Sequence, residues 1–117
     1  VIYIDQNMLK VMLRNLLSNA IKFSEHGQKI MFSSKCNSDT IDIIVEDFGT
    51  GMQVDWFNSK NEHCPQTKKG TKGEVGTGFG LLITKDFAEM NGGKIICESE
   101  INKGTKFTLS FENILPD

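Results

Sequence analysis

Long apolar runs are missing from this chain. No stretch exceeds a few consecutive hydrophobic residues, whereas a membrane-spanning helix needs roughly 20, so no direct membrane insertion is expected. No charged-then-apolar leader opens the sequence and no Asn-x-Ser/Thr sequon occurs, which excludes the marks of a secreted protein. Cysteine is scarce: Cys36, Cys64 and Cys97 are odd in number, widely spaced and free of any Cys-x-x-Cys. That argues against a disulfide framework or a zinc site and fits a reducing, cytoplasmic setting. An excess of one charge is also missing, with 13 basic against 15 acidic side chains and a net charge of −2, so a nucleic-acid-binding surface is not expected. What remains is ordinary. A chain of 117 residues, 38% hydrophobic and 24% charged, reads as one domain with one core.

Residues 1–4 (Val-Ile-Tyr-Ile) read as the stub of a strand, because β-branched and aromatic side chains crowd there. Asp5 is a plausible helix N-cap. From residue 6 to about 23 the period turns helical, with Leu9, Leu13, Leu16, Leu17 and Ala20 on one face. Gly27 marks the turn that follows. Residues 29–35 and 40–46 read as antiparallel strands joined by Cys36-Asn37-Ser38-Asp39. The next 28 residues, 49–76, lack periodicity apart from one helical turn at 54–57, and loops of that length in compact domains are usually lids or links. Helical period returns at 78–90 through Leu81, Leu82, Phe87 and Ala88, and Asn91-Gly92-Gly93 stops it. Residues 94–100 and 105–112 close the chain as a hairpin through Asn102-Lys103-Gly104. The order predicts an α/β (α+β) two-layer sandwich, with the helices on one face of a mixed, mostly antiparallel sheet.

Three clusters carry possible chemistry. Asn15, Asn19 and Lys22 form one polar stripe beside the leucine face of the first helix. An asparagine oxygen suits Mg²⁺, which takes water and phosphate oxygens as further ligands, and a lysine one turn on neutralises phosphate. On spacing alone the stripe also reads as a solvated helix edge. Asp47-Phe48-Gly49-Thr50-Gly51 follows a strand; it reads as a turn, or as a carboxylate that accepts from an exocyclic amine with glycines that allow close approach. Gly73 to Leu81 is a glycine-rich run leading into the second helix. It reads as a hinge, or as a row of N–H groups at a helix N-terminus suited to phosphate. No strand is expected before it and no Gly-Lys-Ser/Thr ends it, so it is neither a dinucleotide fingerprint nor a Walker loop.

Taken together, Asn15-Leu-Leu-Ser-Asn-Ala-Ile-Lys-Phe-Ser24, Asp47-Phe-Gly-Thr-Gly-Met52 and Gly70-Thr-Lys-Gly-Glu-Val-Gly-Thr-Gly-Phe-Gly-Leu81 resemble the N, G1 and G2 boxes of the GHKL ATP-binding superfamily. That group includes gyrase, the large heat-shock chaperone, mismatch-repair ATPases and sensor histidine kinases, and the N box looks like that of the histidine kinases. Gly92-Gly-Lys-Ile and Lys103-Gly-Thr-Lys-Phe107 resemble the closing hairpin of their catalytic ATP-binding domain. The resemblance covers essentially the whole chain and implies a Bergerat fold with a long ATP lid at about 53–76. It implies Mg²⁺ as a cofactor with Asn19 as its ligand, and Asn15 and Lys22 as the groups at the phosphates and the chemistry. Phe23 then lines the nucleotide pocket, Asp47 takes the adenine amine, and Gly49 and Gly51 shape that end. Gly76, Thr77, Gly78, Gly80 and Leu81 hold the phosphates, and Thr105 matches the superfamily's Gly-Thr near adenine.

The resemblance also implies partners: ATP and ADP, a histidine-bearing dimerisation domain of the same protein, and a response regulator or receiver domain downstream. The phosphoacceptor domain is absent from these 117 residues, and neither His26 nor His63 sits in an acceptor motif. The phenylalanine-rich F box is reduced to Trp56-Phe57, and the lid carries no arginine between Phe57 and Gly70, so that Lys68, Lys69 or Lys72 stands in for it or nothing does. Three readings follow: transfer of the γ-phosphate to a histidine, hydrolysis that drives a conformational cycle, or nucleotide binding without transfer. The hydrolytic members carry Glu where this chain has Asn15, and an amide cannot take a proton near neutral pH.

Overall fold

The computed structural model describes residues 2–51, 68–69, 75–76 and 79–114. The lid turn at 54–57, Trp56, Phe57, His63, Cys64, Lys72, Thr77 and Gly78 therefore lie outside the described residues. Helix α1 spans Gln6–Phe23. Asp5 caps it as expected, its carboxylate accepting from the Met8 N–H at 2.9 Å, a bond whose loss by alanine substitution costs about 1 kcal/mol. The helix ends at Ser24, and Gly27 adopts φ +86°, a left-handed turn that glycine tolerates. Strands β1 (Ile30–Cys36) and β2 (Thr40–Asp47) follow as an antiparallel pair. Helix α2 spans Phe79–Met90, and β5 (Lys94–Glu100) and β6 (Gly104–Glu112) close the chain.

The four strands form one sheet in the order β1-β2-β6-β5. Every described pairing in it is antiparallel. Val45, Phe107 and Cys97 are register partners across β2, β6 and β5. With Leu109 and Phe111 they pack against Met12, Leu16 and Ala20 of α1 and Leu81 and Ala88 of α2 in one buried cluster. Both helices thus cover a single face, the expected two-layer arrangement.

Three details depart from the expectation. Residues 2–4 form no strand. Ile2 and Ile4 pack against the core while Tyr3 is exposed, so the alternation there records burial and not pairing. Met12, outside the expected leucine face, is as fully buried as Leu16; Leu9, Leu13 and Leu17 only flank the core. Finally, two residues of strand, β4 (Val75–Gly76), pair antiparallel with β3 (Lys68–Lys69) just before the second helix. The expectation that no strand precedes the glycine run is corrected, although a two-residue bridge is far short of the strand of a βαβ unit.

Candidate functional site

Asn15 lies in the middle of α1 and faces the start of α2. Its Nδ2 donates to the Gly80 carbonyl at 3.0 Å and to the Thr84 hydroxyl at 3.3 Å. Thr84 is fully buried and donates its own proton back to the Gly80 carbonyl at 2.7 Å. Both amide protons of Asn15 are therefore spent on α2, and Oδ1 is left as the free acceptor of that side chain. One turn on, the Nδ2 of Asn19 is buried with no hydrogen-bond partner. Such a group costs about 1–3 kcal/mol unless something satisfies it, and an amide whose two ends differ only in hydrogen bonding offers a donor or an acceptor as the ligand requires. Lys22 extends over the Phe23 ring, 5.1 Å from its centroid.

At its far end α1 meets the loop after β2. The Thr50 N–H donates to the Phe23 carbonyl at 3.0 Å. Gly49 is seated against that same carbonyl so closely that any Cβ would collide with it. Gly51, at φ +72°, is pressed in the same way against the Glu100 carbonyl. The two glycines shape this end by letting the helix terminus and the β5–β6 turn close on the loop. The stripe on α1 thus runs from the N-terminus of α2, at Asn15, to the Asp47 end of the sheet, at Phe23.

Asp47 ends β2, 2% exposed. Its Oδ1 accepts from the Gly49 N–H at 2.9 Å. Burial raises its pKa above the ordinary carboxylate value; the Gly49 and Thr105 N–H groups pull the other way, and the neighbouring Glu46 adds to the rise. Asp47, Thr105 and Ser99 are register partners in one row across β2, β6 and β5. Thr105 is buried and its hydroxyl lies 2.9 Å from that of Ser99. A cavity of about 330 Å³ at this end of the sheet is lined mainly by Glu46, Lys106, Glu98, Phe48, Glu100 and Lys103, so it opens chiefly on the face away from the helices and only borders the Asp47 row. Beside the row, Cys97 is buried, and its thiol is pushed up to about 12 by desolvation, with Asp47 and Glu98 adding to the rise, so it stays protonated and inert.

The structure therefore gathers Asn15 and Gly80 where the middle of α1 meets α2, and Phe23, Asp47, Gly49, Gly51 and Thr105 at the C-terminal end of α1. Leu81 belongs to the core by its side chain and has only its backbone to offer a ligand. Gly76 stands in β4. Thr84 and Ser99 are the polar groups that sequence reasoning passed over. A buried threonine on the second turn of a helix and a serine in a strand are too common in type to stand out; only their hydrogen bonds distinguish them. Among the described residues no three of His, Cys, Asp or Glu converge as a metal cluster, so a cation at the Asn15–Asn19 stripe would rest on amide oxygens, water and ligand oxygens, a donor set that fits Mg²⁺. No helix among the described residues is long and apolar enough to cross a membrane.

Residues 4–113 match the family described as histidine kinase-, DNA gyrase B-, and HSP90-like ATPase. Over 97% of its length the chain is 35% identical to hybrid signal transduction histidine kinase B of Dictyostelium discoideum, and covers 6% of that protein. Over 91% it is 36% identical to histidine protein kinase SaeS of Staphylococcus aureus, covering 31% of it. Among solved structures, the catalytic domain of the histidine kinase ThkA superposes with a TM-score of 0.75 at 28% identity, over 95% of this chain and 71% of that one. The chain thus spans less than a third of the length of these curated relatives.

Proposed function

Since the chain belongs to the histidine kinase-, DNA gyrase B- and HSP90-like ATPase family, we propose that all 117 residues form the catalytic ATP-binding domain of a sensor histidine kinase. In this reading the domain binds Mg-ATP and presents the γ-phosphate to a histidine on a dimerisation domain of the same protein, from which a receiver domain takes it. Its setting is the cytoplasm. The observation that carries the reading is the bond from Asn15 to the Gly80 carbonyl. It brings the first and third motifs together at the phosphate end, while Asp47 closes the other end of the same cleft.

Phosphoryl transfer asks a protein mainly for positioning and electrostatic stabilisation. Asp47 and Thr105 hold the adenine end. Asn15 and Asn19 face the phosphate end, where Asn19 serves as metal ligand and Lys22 supplies positive charge. In this reading Gly76, Thr77, Gly78, Gly80 and Leu81 offer backbone N–H groups to phosphate oxygens. Mg²⁺ in the stripe supplies charge neutralisation on those oxygens. The nucleophile comes from elsewhere: His26 lies in an exposed turn after α1 and no described histidine faces the cleft. Asn15 also speaks against hydrolysis, because an amide cannot activate water as a general base.

Calorimetry tests the reading. ATP and ADP should bind in the presence of Mg²⁺, and GTP should bind at least tenfold more weakly because its six-position offers a carbonyl to an acceptor. Equal affinity for ATP and GTP would remove the adenine assignment of Asp47.

A further inference from the structure

One carbonyl at the start of α2 gathers two side-chain donors. The Gly80 carbonyl accepts from the Thr84 hydroxyl at 2.7 Å and from Asn15 Nδ2 at 3.0 Å. A threonine that bonds the carbonyl four residues back is common in helices; the further feature here is that the amide of a second helix donates to it. A carbonyl oxygen only accepts, so the one proton of Thr84 is committed to Gly80. Thr84 therefore meets Asn15 with a lone pair, and the 3.3 Å contact between them takes its proton from Nδ2. Thr84 is fully buried, so no water competes for that lone pair. The amide of Asn15 faces two acceptors on α2, and turning it over would set Oδ1 against both. Held this way, Asn15 brings an acceptor and no donor to the phosphate end of the cleft. An amide oxygen repels the oxygens of a bare triphosphate, and it suits a triphosphate that arrives with a divalent cation and its water.

We infer that Thr84 is a positioning residue for recognition of the metal–nucleotide complex: by taking the second amide proton of Asn15 it keeps Oδ1 outward, so that the cleft admits ATP bearing Mg²⁺ in preference to ATP alone. The inference rests on the proposed binding of Mg-ATP along the Asn15–Asn19 stripe and extends it to a side chain that touches neither metal nor nucleotide. Without the Thr84 hydroxyl, one amide proton of Asn15 is left buried and unpaired, a state that folded proteins avoid. The amide, now held by Gly80 alone, turns toward the cleft and offers that proton to a phosphate oxygen. Metal-free ATP gains a hydrogen bond, and the preference for the metal complex shrinks.

The experiment titrates ATP by calorimetry into the 117-residue chain and its variants, once with Mg²⁺ in excess and once with a chelator in its place, with circular dichroism to verify folding. In wild type Mg²⁺ should tighten ATP at least tenfold. Thr84→Val, close in size and without a hydroxyl, should narrow that ratio at least threefold, chiefly through tighter binding of metal-free ATP. Thr84→Ser, which keeps the hydroxyl, should restore it. In isotope-labelled protein without nucleotide, the side-chain amide protons of Asn15 should exchange with water faster in Thr84→Val than in wild type. Should Thr84→Val not fold, Thr84→Cys, whose thiol is a poor acceptor, should narrow the ratio in the same sense. A variant that weakens both affinities equally, keeps the wild-type ratio, or leaves the Asn15 amide exchanging as before overturns the role of Thr84 and leaves the Mg-ATP reading standing. A wild type whose affinity for ATP ignores Mg²⁺ overturns the Mg-ATP reading first and Thr84 with it.

Discussion

Asp47 is sealed at the end of the sheet with backbone donors for company, and the sign of its raised pKa decides how the domain responds to acid. Folding favours its protonated form. The stabilisation this brings is complete below the ordinary aspartate value and is lost as pH rises through the higher folded value. Relative to wild type, Asp47→Asn should therefore gain in melting temperature as pH rises above about 4, and it should also weaken ATP binding by at least about 1 kcal/mol, the lower figure for an unsatisfied buried group. Thermal unfolding in that range checks the first point, and a difference that stays flat would sink it. Asn19 gives a second test at this scale. Its unpartnered buried amide points to a ligand, so Asn19→Ala should abolish the tightening of ATP by Mg²⁺ and leave the ATP-over-GTP preference unchanged. Titrations with Mg²⁺ and with a chelator in its place separate these effects. Both residues were singled out in the sequence through the resemblance of their motifs to a known family, because by spacing alone the amide stripe also reads as a solvated helix edge and Asp47 as a turn. Thr84 was not, since only its hydrogen bonds to Asn15 and to the Gly80 carbonyl set it apart.

At the scale of elements, the seating of Gly49 against the Phe23 carbonyl joins the end of α1 to the end of β2. Gly49→Ala puts a methyl group into backbone that cannot yield cheaply, and should destabilise the domain by about 1–3 kcal/mol, the usual range for overpacking. Urea unfolding measures it; a change under about 0.5 kcal/mol would mean that the two elements separate freely. The elements themselves were largely readable. Helix α1 runs over the span its leucine period predicted, capped by the residue expected, and β5 begins and ends where alternation placed it. Residues 2–4 misled because apolar alternation reports a buried edge whether or not a partner strand exists. The β3–β4 bridge was invisible because two residues have no period. Met12 escaped notice because the leucines flanking it drew the helical face some degrees to one side.

In the proposed reading the chain supplies a nucleotide cleft, and among the described residues no histidine sits in an acceptor motif. Incubated with labelled ATP, it should carry no acid-labile label on His26 or His63 and release little phosphate, and adding its histidine-bearing domain should bring transfer; brisk phosphate release by the chain alone would overturn the proposed mechanism. The sheet has one more consequence. Strands β2 and β6 lie side by side at its centre, yet Asp47 and its partner Thr105 are roughly sixty residues apart, so folding must close a large ring of chain. The entropy of closing a ring grows only with the logarithm of its length, about 0.6 kcal/mol for each doubling. Ten glycine and serine residues spliced between β2 and α2 should then shift the unfolding free energy by well under about 0.5 kcal/mol. That stretch is where this architecture grows most readily, in evolution or by design, because the ring it belongs to is already too long for a few more links to matter.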